Sequence, residues 1–148
     1  MLFRSTLAEA QPVDIWRWTN GRALIAAGSP FADIQEGNQS YRVAQSNNAF
    51  VFPGVGLGVI AAKARHVTTR MLFKATEALS ACAPILQQSN APLLPKLSDA
   101  KQVSAQIALA VATEARQEGL SMMPLDTDFK PAIDHLLWEP RYYVYRKV

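Results

Sequence analysis

Two adjacent amides, Asn47 and Asn48, open the stretch of this chain best suited to chemistry. They sit in Gln45-Ser46-Asn47-Asn48-Ala49-Phe50-Val51-Phe52-Pro53-Gly54, where an apolar, aromatic run follows the pair at once. Asparagine caps helices well, because its side-chain oxygen can accept an orphan N–H of the first turn. Its amide both donates and accepts, so it can orient a carboxylate or carboxamide without adding charge. The pair therefore reads as a helix cap, as a contact for a small polar ligand, or as both. The glycines that follow, Gly54, Gly56 and Gly58, are spaced G-x-G-x-G rather than the G-x-G-x-x-G of a dinucleotide loop. Close packing of a helix on its neighbours is the reading they favour. Cys82 has no nearby histidine and reads as a buried, inert thiol. His66 and His135 have no ligand-like spacing to it or to carboxylates, and read as surface or capping residues. Asp33, Asp99, Asp126, Asp128 and Asp134 are too dispersed to predict a divalent-cation cluster.

The elements that position these residues follow from local pattern. Ala8 to Thr19 reads as a helix with Pro12 in its first turn, and Ile15, Trp16 and Trp18 supplying apolar contacts. Asn20-Gly21 stops it, with Gly21 as the C′ residue. Ala23 to Ala27 is wholly apolar and predicts a strand buried on both faces, as in a parallel sheet. Residues 33–45 predict a small hairpin around Gly37-Asn38, flanked by Ile34 and Tyr41-Arg42-Val43. Asn47 to Ala64 reads as a long apolar helix bent near Pro53-Gly54. Thr68 or Thr69 caps a helix from Arg70 to Ala81, with Met71, Leu72, Ala75, Ala78 and Leu79 on one face. Residues 83–95 form a proline-rich loop. Ser98 or Asp99 caps a helix from Ala100 to Glu118 that buries Val103, Ile107, Ala110 and Val111 and ends at Gly119. Asp126 to Leu137 is a last short helix, followed by an aromatic tail from Trp138.

Composition sets outer bounds. The 148 residues are 49% hydrophobic and 18% charged, which predicts a globular chain. No run of apolar residues is long enough to predict a membrane span, and the first residues lack a signal-peptide core. The lone cysteine gives no disulfide framework, so a cytoplasmic setting is expected. The net charge of +3 is mild and its basic residues are scattered. A solvated surface is favoured over nucleic-acid binding, although Tyr142, Tyr143 and Tyr145 with Arg141 and Arg146 could stack on bases. Such a tail more often packs at a subunit interface.

With Gly21-Arg22-Ala23-Leu24-Ile25-Ala26-Ala27-Gly28-Ser29-Pro30-Phe31 upstream, and with Leu94-Pro95, Val103-Ser104 and Trp138-Glu139-Pro140 downstream, the chain resembles the C-terminal part of NAD(P)-dependent malic enzymes. The resemblance implies an α/β fold: an incomplete Rossmann-like nucleotide-binding domain, mostly helical, with one or two parallel strands, a small hairpin and a helical C-terminal tail. It divides the chain into 1–97, the end of the NAD-binding domain, and 98–148, a helical extension packing on it and on neighbouring subunits. It implies a share in oxidative decarboxylation of malate to pyruvate and carbon dioxide with reduction of NAD or NADP, the wording being closer to NAD-using bacterial forms. The complete enzyme also uses Mg or Mn. Asn47 and Asn48 inherit substrate binding, Asn48 for the substrate carboxylate, and Asn47 is also assigned to the cofactor.

The family's acid and base tyrosine and lysine, its substrate arginine, its three acidic metal ligands and its Gly-rich phosphate loop all precede the matched segment. Its Ser-Asn-Pro-Thr motif would fall at Leu2-Phe3-Arg4-Ser5, which bears no likeness to it. The match begins abruptly, as a truncation or a deletion would produce. The 148 residues alone are therefore expected to be inactive and to hold neither cofactor nor metal firmly. A homo-oligomer is expected, without nucleic acid or membrane. A different class of function, a non-catalytic assembly module docking on itself or on a full-length relative, rests on the unpaired strand edge and the aromatic tail.

Overall fold

The computed structural model describes residues 9–89, 91–137 and 142. The readings made for residues 1–8 and for most of the aromatic tail, including Trp138-Glu139-Pro140, lie outside the described residues.

Helix α1 spans Pro12–Trp18, and its proline sits at the start of the helix, where the missing N–H costs nothing. Its end is a Schellman turn. Asn20, with φ 50°, takes the left-handed C′ position one residue before the expected glycine, and Gly21 N–H donates back to the Trp16 carbonyl at 2.9 Å. Trp16 packs on Tyr41 with ring centroids 4.4 Å apart, whereas Trp18 is 74% exposed and supplies no core contact.

Strands β1 (Ala26–Ala27) and β4 (Ala44–Gln45) pair in parallel, Ala26 opposite Ala44 and Ala27 opposite Gln45. Between them β2 (Ile34–Glu36) and β3 (Gln39–Tyr41) form the expected antiparallel hairpin, turning at Gly37 with φ 57°. Ile25, Ile34, Tyr41 and Val43 make the small core of this region. The apolar run at 23–27 is buried on one face only. Ile25 points inward, but Leu24 is 50% exposed, so the two-sided burial expected from its lack of alternation is not met. Continuous hydrophobicity marks a strand built to be covered twice, and among the described residues nothing covers the second face.

The main core is helical. The long helix expected from Asn47 divides into a 3-10 turn, Asn48–Phe50, and α2, Phe52–Ala62, which ends at Lys63 in a left-handed conformation. Helix α3 (Thr69–Ala81) is capped by Thr68, whose side-chain oxygen accepts the Met71 N–H at 3.1 Å. Met71 and Ala75 are buried, but Leu72 is 45% exposed and belongs to the outer face. Helix α4 (Ala100–Gln117) runs between the others, burying Val103, Ile107 and Val111 as its periodicity predicts, leaving Ala110 only half-buried, and stopping at Gly119 with φ 68°. A 3-10 turn, Leu97–Asp99, leads into it, and neither Ser98 nor Asp99 caps it by side chain. Their hydroxyl and carboxylate bond to each other instead, at 3.0 Å. Helix α5 (Phe129–Leu136), capped by Asp128, closes the group, with Phe129 under the Arg116 guanidinium at 4.0 Å.

Two glycines set how closely α2 and α4 approach. A Cβ on Gly54 would lie 2.6 Å from the Ile107 Cβ, and one on Gly58 would lie 2.6 Å from the Ala108 carbonyl and 2.8 Å from the Val111 Cβ. A Cβ on Gly56 would meet nothing within 4 Å. The packing role expected for the glycines thus falls to two of the three. The ends of α3 and α4 are tied by polar contacts. Thr68 Oγ1 donates to Glu118 Oε2 at 2.5 Å, and Arg70 Nε lies 2.8 Å from Glu114 Oε1 in an ion pair that is not aligned as a hydrogen bond. Among the described residues no helix is long and apolar enough to cross a membrane.

The glycine contacts predict opposite effects for one substitution at two sites. Gly58→Ala forces α4 outward and should cost about 1–3 kcal/mol. Gly56→Ala should be neutral or stabilise by up to about 1 kcal/mol through helix propensity. Urea unfolding midpoints of the two variants check this; a Gly58→Ala chain as stable as the parent contradicts the packing.

Candidate functional site

Ligands of open parallel α/β sheets bind beyond the carboxyl ends of the strands. Here those ends are Ala27, leading to Gly28-Ser29-Pro30, and Gln45, leading to Ser46-Asn47-Asn48. The two exits are held side by side, because the Ser46 N–H donates to the Ala27 carbonyl at 2.8 Å. The asparagine pair therefore stands where the fold would place a ligand.

The two asparagines have different surroundings. Asn47 is half-buried, with an extended backbone at φ −131° and ψ 135°. Its Oδ1 accepts the Ala49 N–H at 2.9 Å, so the capping reading holds for it. Asn48 begins the 3-10 turn and is exposed, and its side chain bonds to no other described residue. Phe50 completes the turn and is 1% exposed, seated in the helical core with Val103 and Ile107. Its anchoring role is one that sequence reading did not assign. The signal was present as an aromatic residue three positions after the first amide.

Beside this turn lies a cleft of about 220 Å³, lined by Pro30, Phe31, Asp33, Gln45, Phe50 and Lys96 among others. Arg42 lies between it and a wider groove of about 720 Å³ bordered by Trp16, Glu36 and Tyr41, and donates to the Leu94 carbonyl at 2.6 Å. Neither asparagine lines either of these clefts, so cavity volume does not locate the site.

The remaining candidates stay apart. His66 and His135 are exposed on different elements. Among the described residues no group of three or more His, Cys, Asp or Glu side chains could hold a metal ion. Asp128 caps α5 and Asp134 pairs with Lys130 at 3.1 Å. Cys82 is half-buried rather than fully buried. Its thiol donates toward the Ala78 carbonyl and Gln106 Oε1 at 3.2 and 3.1 Å, and burial pushes its pKa up. A raised thiol pKa leaves less thiolate at mildly alkaline pH, and thiolate is the nucleophile. Alkylation of Cys82 by iodoacetamide at pH 8 should therefore be slower in the folded chain than in urea; an equal or faster folded rate contradicts this assignment.

A family profile described as "Malic enzyme, NAD binding domain" matches residues 4–116. The chain is similar to the NAD-dependent malic enzyme of Proteus mirabilis, 46% identical over 139 residues, covering 94% of this chain and 25% of that protein. It is 48% identical over 139 residues to that of Pseudomonas aeruginosa, with the same coverage. Its fold is similar to the crystal structure of Entamoeba histolytica malic enzyme, with a TM-score of 0.64 at 21% identity over 88% of this chain and 24% of that one. For malic enzyme from Pyrococcus horikoshii the values are 0.60 and 25%, over 79% and 24%. The chain thus spans about a quarter of the length of the relatives it matches. Its α/β architecture is that of part of a Rossmann-like nucleotide-binding domain.

Proposed function

The chain belongs to the malic enzyme family, and we propose that its residues form one wall of the site in which such an enzyme oxidatively decarboxylates malate to pyruvate and carbon dioxide. The observation that supports this most is the place of Asn48: exposed, without a side-chain partner among the described residues, at the carboxyl end of a parallel strand pair. Asn48 is assigned the substrate carboxylate, to which its amide can donate without adding charge. Asn47 lies beside it with its Nδ2 left for the nicotinamide side, since Oδ1 is engaged by Ala49. The chemistry that NAD would supply when bound is hydride acceptance from C2 of malate. The contribution of these residues is orientation of the reacting groups, which removes part of the entropic barrier.

The residues present fit only the substrate end of the cofactor. Gly54 and Gly58 face α4 with no room for a Cβ, so they serve packing and offer no phosphate cradle. The described residues likewise offer no donor set for Mg or Mn, so no step is assigned to a metal here. Residues 1–97 are proposed as nucleotide-binding-domain structure and 98–148 as the extension that packs on it and takes part in subunit contacts in a cytoplasmic homo-oligomer. The 148 residues alone are proposed to be inactive. Purified chain given L-malate, NAD and Mn should therefore produce no NADH above background. Sustained, malate-dependent NADH formation contradicts the proposal.

A second reading, an assembly module that docks on itself or on a full-length relative, is favoured by the exposed apolar side chains Leu24, Phe52 and Phe73. Sedimentation of the chain alone and mixed with the Proteus mirabilis enzyme tests this second reading. Association in either case supports docking, and a monomer indifferent to the enzyme removes it.

A further inference from the structure

Asn47 and Asn48 share a side chain and differ in what holds it. The chain leaves β4 extended through Asn47 and turns only at Asn48. Two backbone bonds close the turn, Phe50 N–H to the Asn47 carbonyl and Val51 N–H to the Asn48 carbonyl, both at 3.1 Å. A single 3-10 turn has poor hydrogen-bond geometry and holds little by itself. It is fixed from two sides: by Phe50, sunk in the helical core, and by Asn47 Oδ1, which takes the Ala49 N–H at 2.9 Å. The first tether fixes the end of the turn, and the second fixes its start, where Asn48 stands.

We propose that Asn47 is a positioning residue, its side-chain oxygen holding the turn that presents the Asn48 amide to a carboxylate ligand. The proposal rests on the reading of Asn48 as the ligand-facing residue. Its distinctive consequence is that, for holding the turn, the acceptor Oδ1 matters and Nδ2, left for the nicotinamide side, does not. Aspartate keeps an oxygen in the place of Oδ1 and loses the donor, whereas alanine loses both.

The test uses the ¹⁵N-labelled 148-residue chain in three forms: parent, Asn47→Asp and Asn47→Ala. Exchange of the Ala49 amide and the order of the Asn48 side-chain NH₂ are measured by NMR, with L-malate as the probe. Ala49 exchange should be alike in the parent and Asn47→Asp, and on the order of fivefold faster in Asn47→Ala, the size expected for loss of a cap. The Asn48 NH₂ should become mobile only in Asn47→Ala. Malate should shift that NH₂ in the parent, more weakly in Asn47→Asp, whose added carboxylate repels the dianion, and not at all in Asn47→Ala. Unchanged Ala49 exchange in Asn47→Ala, or an Asn47→Asp chain that behaves like Asn47→Ala, overturns the positioning role. Selective loss of protection in Asn47→Ala, with no malate shift in any form, supports positioning and counts against the ligand reading.

Discussion

The close approach of α2 and α4 is the contact on which the rest of this structure depends. Gly54 and Gly58 lie one turn apart on α2, and both face α4 with no room for a Cβ. Residues four apart fall on one helix face, so the pair clears a strip along which the backbones come together. Ile107 and Val111, also four apart, fill that strip from the other side. Packing at this density makes each side chain's position a condition for its neighbours. Helix α3 then closes on α4 through Met71 and Ala75, and the Thr68–Glu118 and Arg70–Glu114 contacts fix its register. Glu114 is 1% exposed, and a buried carboxylate is tolerable only with such a partner.

The asparagine turn is mounted on this helical block through Phe50, while its other side joins a much slighter support. The parallel pair β1–β4 has two residues in each strand, and the other edge of β1 has no strand partner among the described residues. Two strands are marginal by themselves. The turn therefore takes its rigidity from the helices and its location from the strands. Leu24 beside β1 is 50% exposed, and the chain spans about a quarter of the length of the relatives it matches.

Much of this was legible in residue order because local rules decide it. The hairpin at Gly37, the stop at Gly119, the cap at Thr68 and the α4 stripe each follow from one side chain or one period. The resemblance to malic enzymes was carried by Gly28-Ser29-Pro30-Phe31 and the asparagine pair, and the family match agrees with it. What escaped was set by tertiary contact. Leu72 fits the apolar face by period, yet the helical core takes Met71 and Ala75, with Ala78 and Leu79 partly buried against it, and leaves Leu72 45% exposed. The break between the 3-10 turn and α2 comes from anchoring Phe50 while Pro53 restarts the helix, which periodicity cannot show. The different surroundings of Asn47 and Asn48 were likewise invisible in residue type, since only the fold buries Asn47 by half and gives its Oδ1 the Ala49 N–H while leaving Asn48 exposed.

Native-state hydrogen exchange along the whole chain tests most directly whether the helical block, rather than the strands, carries the asparagine turn. Amides of α2 and α4 should exchange slowest, with Phe50 and Val51 opening together with them, and the β1–β4 bonds at Ala44 and Ser46 should open at lower free energy. Strand amides as protected as α4, or a turn that exchanges with the strands instead of the helices, would contradict the account.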